Sequence, residues 1–202
     1  DKNGCPATAN ITLTEPTALV ATATVPTTAV NFGYGVSCNG ASDADIDLEI
    51  SEGVAPYTVL WTGPSIDAGN ENDVDLAGVE AGLYQATITD DNGCIKIVDV
   101  TVTEPAVLNP GQITGNQYRC YQGNPGLLNE AFGASGGPTA RLYQWEMSTI
   151  ADSINFQPVA GATGATYDPP AGITETSYYR RSVSSGSCGP EYSNVVTVTV
   201  NP

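Results

Sequence analysis

The sequence predicts an all-β protein made of tandem antiparallel β-sandwiches, and three observations predict it. The 202 residues include 23 Thr, 18 Val, 22 Gly and 14 Pro, a composition that favours short strands and tight turns over helices. Apolar residues alternate with polar ones at a period of two in several short runs, each bounded by turn residues. Finally, residues 1–19 (DKNGCPATANITLTEPTAL) align without a gap to residues 90–108 (DDNGCIKIVDVTVTEPAVL) at an offset of 89, with nine of nineteen positions identical. A repeat that wide suits a whole sandwich module rather than a solenoid turn.

Taken in order, residues 1–16 read as the last strand of a preceding copy, and the chain as an excised piece of something longer. A full copy then runs over 17–108. Within it, Asp43 to Ile50 alternates so that Ile46, Leu48 and Ile50 share one face while Asp43, Asp45, Asp47 and Glu49 share the other. Tyr57, Val59 and Trp61 alternate likewise, as do Val74 and Leu76, and then Tyr84, Ala86 and Ile88. Asp90-Asp91-Asn92-Gly93 lies between two such runs and is a hairpin signal, because Asn and Gly tolerate positive φ. Thr-Glu-Pro at 14–16 and again at 103–105 predicts a short, stiff joint where one module hands over to the next.

Past Pro105 the charge changes. Residues 1–108 carry 16 acidic and 2 basic residues, and residues 109–202 carry 6 and 4. The shift predicts a second, different sandwich over 109–202, with strands around Tyr143–Met147, Ser177–Ser184 and Asn194–Val200.

Composition also excludes functions. Lys and Arg total 6 against 22 Asp and Glu, a formal charge of −16, so nucleic acid is repelled and is not an expected partner. No histidine is present, which removes Ser/His/Asp and Cys/His catalysis and the commonest metal ligand. No apolar run approaches the roughly 20 residues of a membrane span. Paired carboxylates at glycosidase distance occur trivially on any alternating acidic strand, so they indicate nothing, and no enzymatic activity is expected.

Five cysteines stand at 5, 38, 94, 120 and 188, without a C-x-x-C pair. The module boundaries invite the pairs Cys38 with Cys94 and Cys120 with Cys188, leaving Cys5, the repeat equivalent of Cys94, unpaired by truncation. Loops of 57 and 69 residues closed in this way stabilise by about 4 kcal/mol each on the chain-entropy model, and such bridges imply an oxidising, extracytoplasmic setting. The other reading is buried free thiols in a cytosolic protein.

The motifs Val36-Ser37-Cys38-Asn39-Gly40, Gly53-Val54-Ala55-Pro56-Tyr57 leading to Trp61, Ala81-Gly82-Leu83-Tyr84, Thr89-Asp90-Asp91-Asn92-Gly93-Cys94 and Thr103-Glu104-Pro105, in that order, resemble the SprB repeat of large surface adhesins in gliding bacteria. The second half, with Tyr143-Gln144-Trp145, Ser177-Tyr178-Tyr179-Arg180-Arg181, Cys188 and Ser193-Asn194-Val195-Val196, is similar to immunoglobulin-like or PKD-like Greek-key modules. The resemblance implies secretion through a type IX system and display on the cell surface as a spacer or adhesive segment. It implies as partners the neighbouring repeats of the same polypeptide, with surface glycans or other adhesin and motility proteins beyond them. It supplies no catalytic residue.

Two candidate sites remain. Asp43, Asp45, Asp67, Asp73 and Asp75 offer hard oxygen ligands of the kind calcium takes, although alternate residues on a strand stand about 6.6 Å apart, which favours a solvated acidic face. No other cofactor is expected. Tyr178, Tyr179, Arg180 and Arg181 form the one basic and aromatic cluster. In a strand one of the two tyrosines must face outward, which makes the cluster the candidate contact for a glycan or a neighbouring module, against a cross-strand packing role. Trp61, Trp145, Tyr118 and Tyr121 are further aromatic candidates for stacking on sugars, with Trp61 read as core because Tyr57 and Val59 share its phase.

Overall fold

In the computed structural model, residues 9–26, 32–151 and 154–201 are described. Every regular element among them is a strand. The first half holds β1 (Val20–Thr24), β2 (Ser42–Ser51), β3 (Thr58–Thr62), β4 (Leu76–Glu80), β5 (Gly82–Thr89) and β6 (Ile95–Val102). They form two three-stranded antiparallel sheets, ordered β1-β2-β4 and β3-β5-β6. The chain crosses from one sheet to the other after β2, after β3 and after β4, which is Greek-key connectivity.

The predicted alternation produces this core. Ala44, Ile46 and Leu48 of β2 are buried while Asp43, Asp45, Asp47 and Glu49 face water. From the facing sheet come Val59 and Trp61 of β3 and Tyr84, Ala86 and Ile88 of β5, and together they make one cluster. Trp61 is 1% exposed, and its indole N–H donates to the Asp73 carbonyl at 3.0 Å, as a buried indole requires. The Asp90 to Gly93 signal is the β5–β6 turn, and pairing runs unbroken from Gly82↔Val102 to Thr89↔Ile95. Gly93 has φ 79°, and Asp90 closes the turn by accepting from the amides of Asn92, at 3.0 Å, and Cys94, at 2.8 Å. Burial pushes the Asp90 carboxyl up, but backbone donors from Cys94, Val54 and Asn92 outweigh it and hold the group below the ordinary aspartate range.

Residues 9–13, the repeat equivalents of Val98–Val102, form no strand, and Ile11 and Leu13 stand 85% and 88% exposed. The physical reason is pairing: β6 is held along its length by β5, whereas residues 9–13 have no strand partner among the described residues. Residues 1–8 of that expectation, Cys5 among them, lie outside the described residues.

The second half contains β7 (Gln112–Thr114), β8 (Gln117–Cys120), β9 (Asn129–Phe132), β10 (Leu142–Ser148), β11 (Gln157–Pro158), β12 (Ser177–Ser185), β13 (Cys188–Tyr192) and β14 (Val196–Asn201). The main sheet runs β11-β10-β12-β14-β8 with β13 on β12, and β7-β9 makes a small second layer. Strand β8 joins β14 in parallel, the exception among antiparallel pairs. Trp145, Leu128, Tyr179, Val196 and Val198 form a separate core, in which the Trp145 indole donates to the Gly164 carbonyl at 2.9 Å.

The Thr-Glu-Pro joint at 103–105 is a packed strip. The Thr103 carbonyl accepts from the amides of Gly35 and Val36 at 2.9 and 3.2 Å. The Glu104 carboxylate accepts from Gly40 N–H at 2.9 Å, and the Pro105 carbonyl from Asn39 Nδ2 at 3.2 Å. On its other side the strip meets the second module: Gly137 N–H donates to the Ala106 carbonyl at 2.9 Å. Gly136, at φ 75°, lies so close beneath Val107 that an added Cβ would fall on the Val107 carbonyl oxygen. The identical motif at 14–16 has no such partners among the described residues and is exposed.

The expected disulfides are replaced by a different one. Cys38 is bonded to Cys188, with Cα atoms 5.5 Å apart, while Cys94 and Cys120 carry free, exposed thiols. Each expected pair is separated by the length of a sandwich. Cys38 packs beside Thr103–Pro105 at the far end of β6, and Cys94 directly precedes the start of that strand. Eight residues of strand span about 26 Å, against the roughly 7 Å between Cα atoms that a disulfide tolerates. In the second module Cys188 pairs with Ser185 at one end of β12. Cys120 pairs with Asn201, beyond the opposite end, where Ser177 meets Val198. The bridge therefore joins the two modules instead of closing each.

Candidate functional site

Strand β12 settles which of its four candidate residues face out. Alternation turns Tyr179 and Arg181 into the protein, at 3% and 0% exposure, and leaves Tyr178 and Arg180 partly exposed on the opposite face. The expectation that all four contact a ligand is corrected for two of them. Tyr179 belongs to the core, its ring 5.8 Å from that of Tyr167, and burial pushes its phenol up in pKa.

Arg181 is a structural cation. Its Nη1 donates to Glu130 Oε1 and to the Ala165 carbonyl, both at 2.6 Å, and its Nη2 to the Pro110 carbonyl at 3.1 Å. The guanidinium carbon sits 4.5 Å over the Tyr143 ring. Nε is the one buried side-chain polar atom among the described residues with no hydrogen-bond partner. One side chain thus ties β12 to β9 and to the chain entering β7.

Arg180 does the opposite job. It pairs with Glu146 on the neighbouring β10, Nε to Oε2 at 2.7 Å, directly across the register. Its guanidinium lies 4.4 Å over the Phe156 ring and 4.0 Å over that of Tyr192. The result is a groove of about 640 Å3 lined by Phe156, Tyr178, Arg180, Tyr192, Val195 and Thr197. Tyr192 arrives through β13, opposite Ser182, and Phe156 through the stretch before β11. Neither is visible from the sequence cluster, because only strand pairing brings them to β12. The groove offers aromatic faces, the guanidinium of the Arg180–Glu146 pair and the Thr197 hydroxyl, which is the equipment for stacking on and hydrogen-bonding a polar ring.

The candidate calcium ligands are dispersed. Asp43 accepts from Ser37 N–H at 3.0 Å, Asp75 from Leu48 N–H at 2.9 Å, and Asp67 from Gly69 N–H at 2.7 Å within its own turn. Asp73 is exposed and contributes its carbonyl to Trp61. Among the described residues no three His, Cys, Asp or Glu side chains gather as a metal site would require. Of the remaining aromatics, Tyr118 and Tyr121 are exposed at 73% and 56% and line no part of the groove.

The class these features define is an all-β protein of two disulfide-joined antiparallel β-sandwich modules. Residues 36–65, within the first module, match the SprB repeat family model. Residues 109–202 match a domain of unknown function, DUF8696. No curated protein matches the chain. Among solved structures it is similar to extracellular domains 3–5 of Drosophila OTK, at 15% identity over 80% of this chain and 57% of that one, TM-score 0.35. It is also similar to the FN1–FN3 domains of chicken CNTN1, at 11% identity over 80% and 65%, TM-score 0.33. A third similarity, to the BSP domain of a biofilm associated protein, has 14% identity over 81% and 28%, TM-score 0.22. The chain thus spans less than two thirds of each of these.

Proposed function

We propose that this chain is a structural and adhesive segment of a large surface adhesin, and that the adhesin serves as a gliding-motility filament exported by a type IX system. The SprB match over residues 36–65 is the observation that carries the reading. The bridge between the modules supports an oxidising, extracellular address, and the absence of histidine fits a role without acid–base catalysis. Neighbouring repeats of the same polypeptide are its first partners, and the −14 balance of residues 1–108, from 16 acidic and 2 basic residues, keeps tandem copies apart by like-charge repulsion. The test is labelling with an antibody raised against this chain. Intact host cells are expected to stain and to lose the stain on treatment with external protease; staining that needs permeabilised cells would overturn the reading.

The groove on β12 favours a second reading, in which this segment itself grips a surface glycan. A pyranose ring stacked on Tyr178 or Tyr192 leaves its hydroxyls to Thr197 and its rim near Arg180. On a glycan array, Tyr178→Ala and Tyr192→Ala are each expected to weaken any bound glycan about tenfold, the equivalent of ~1.4 kcal/mol. An array silent for the parent chain assigns the segment to spacing alone.

A further inference from the structure

The position of the bridge in the chain has a mechanical meaning. Cys38 precedes β2 and Cys188 opens β13, so the loop they close, with a sequence separation of 150, contains every strand from β2 through β12. Outside it lie β1 on one side and β14, with the rest of β13, on the other. The Thr103–Gly111 linker is inside the loop too, as are Trp61, Tyr84, Trp145 and Arg181, the large side chains of both cores.

A load entering ahead of Cys38 and leaving beyond Cys188 has two routes. One runs through the strand pairs and the linker, held by hydrogen bonds and packing. The other runs through the two sulfurs and is covalent. Once β1 has peeled from β2, where five residue pairs hold it, and β14 has left β12 and β8, the covalent route is taut and everything between the cysteines is slack.

We propose that Cys38–Cys188 is a tension shunt, which carries pulling force past both sandwiches and past the joint between them. This differs from one bridge per module, which would leave the linker bearing the whole load. Phe32 reinforces the shunt's seat: an added Cβ at Gly186 would come within 2.7 Å of the Phe32 ring, so the Gly186 turn beside Cys188 is packed against the loop beside Cys38. The value of such a device to the organism rests on the load-bearing role proposed above. Its existence does not.

The experiment is single-molecule stretching of the full chain through terminal handles, on the same folded molecules before and after a thiol reductant is added. Oxidised molecules are expected to extend only by the stretches outside the loop. Reduction is expected to release about 500 Å more, since 150 residues contribute roughly 3.4 Å each, for an overall gain of about fourfold. Cys188→Ser is expected to give the long extension without reductant. Equal extension in both states would overturn the proposal, and so would a difference near 190 Å, the length of a Cys38–Cys94 loop. Because the readout is bridge topology, a failure here leaves the surface-labelling result untouched, and a failure there leaves this one standing.

Discussion

Replacing Cys188 by serine is expected to lower the melting temperature by roughly 10–20 °C and to split one calorimetric transition into two. The bridge spans 150 residues, and on the chain-entropy model a loop of that size removes about 5 kcal/mol of disorder from the unfolded chain. For chains of this length each kcal/mol corresponds to roughly 2–4 °C. The split follows from where the bridge lies. Each module has its own core, and with the covalent tie gone the coupling falls to the strip around Thr103–Pro105 with its glycine contacts and to the packing of Phe32 on the Gly186 turn. Scanning calorimetry of the parent and the Cys188→Ser variant checks both parts. A variant melting within a degree or two of the parent, in one transition, would show that the bridge constrains nothing that matters to folding.

Arg181→Ala is expected to destabilise the second module by about 3–5 kcal/mol. Arg181 has no exposed surface, and its removal leaves a cavity between β12 and the β7-β9 layer. The carbonyls of Ala165 and Pro110 lose their donor at the same time, as does Glu130. The cavity left by a large buried side chain and the buried carbonyls left without a donor together fall in that range, with part-exposed Glu130 adding least. Glu130→Gln supplies the contrast. The Glu130 side chain is 29% exposed and an amide retains an acceptor for Nη1, but the buried guanidinium loses its counter-charge, so the expected cost is about 1–3 kcal/mol. Urea denaturation of the three proteins measures both values, and an Arg181→Ala loss under about 1 kcal/mol would rule out the tethering role.

What was legible in the sequence was whatever local periodicity controls. Ile46, Leu48, Trp61, Tyr84, Ala86 and Ile88 were placed in the core by phase alone, and the structure buries all of them. The Asp90–Gly93 turn followed from its residue types. The same logic required one of Tyr178 and Tyr179 to face out, without saying which. The groove was beyond reach, because Phe156 and Tyr192 meet Arg180 only through pairing across three strands. The bridge was beyond reach for an energetic reason. Loop entropy rises only with the logarithm of length, so loops of about 57 and about 150 residues differ by less than about 1 kcal/mol, and spacing cannot rank one pairing above another. The deciding quantity is where each cysteine sits along its sandwich, and that is a tertiary fact.

The turn that holds Cys94 also bears on how readily that thiol reacts. The attacking species in sulfur exchange is the thiolate. The charge on Asp90 raises the Cys94 pKa, with burial and a hydrogen bond to the same carboxylate adding to it, which disfavours the thiolate. The exposed Cys94 thiol is thereby made a poorer nucleophile toward disulfides of other molecules, while the Cys38–Cys188 linkage of its own chain lies a sandwich's length away, out of its reach.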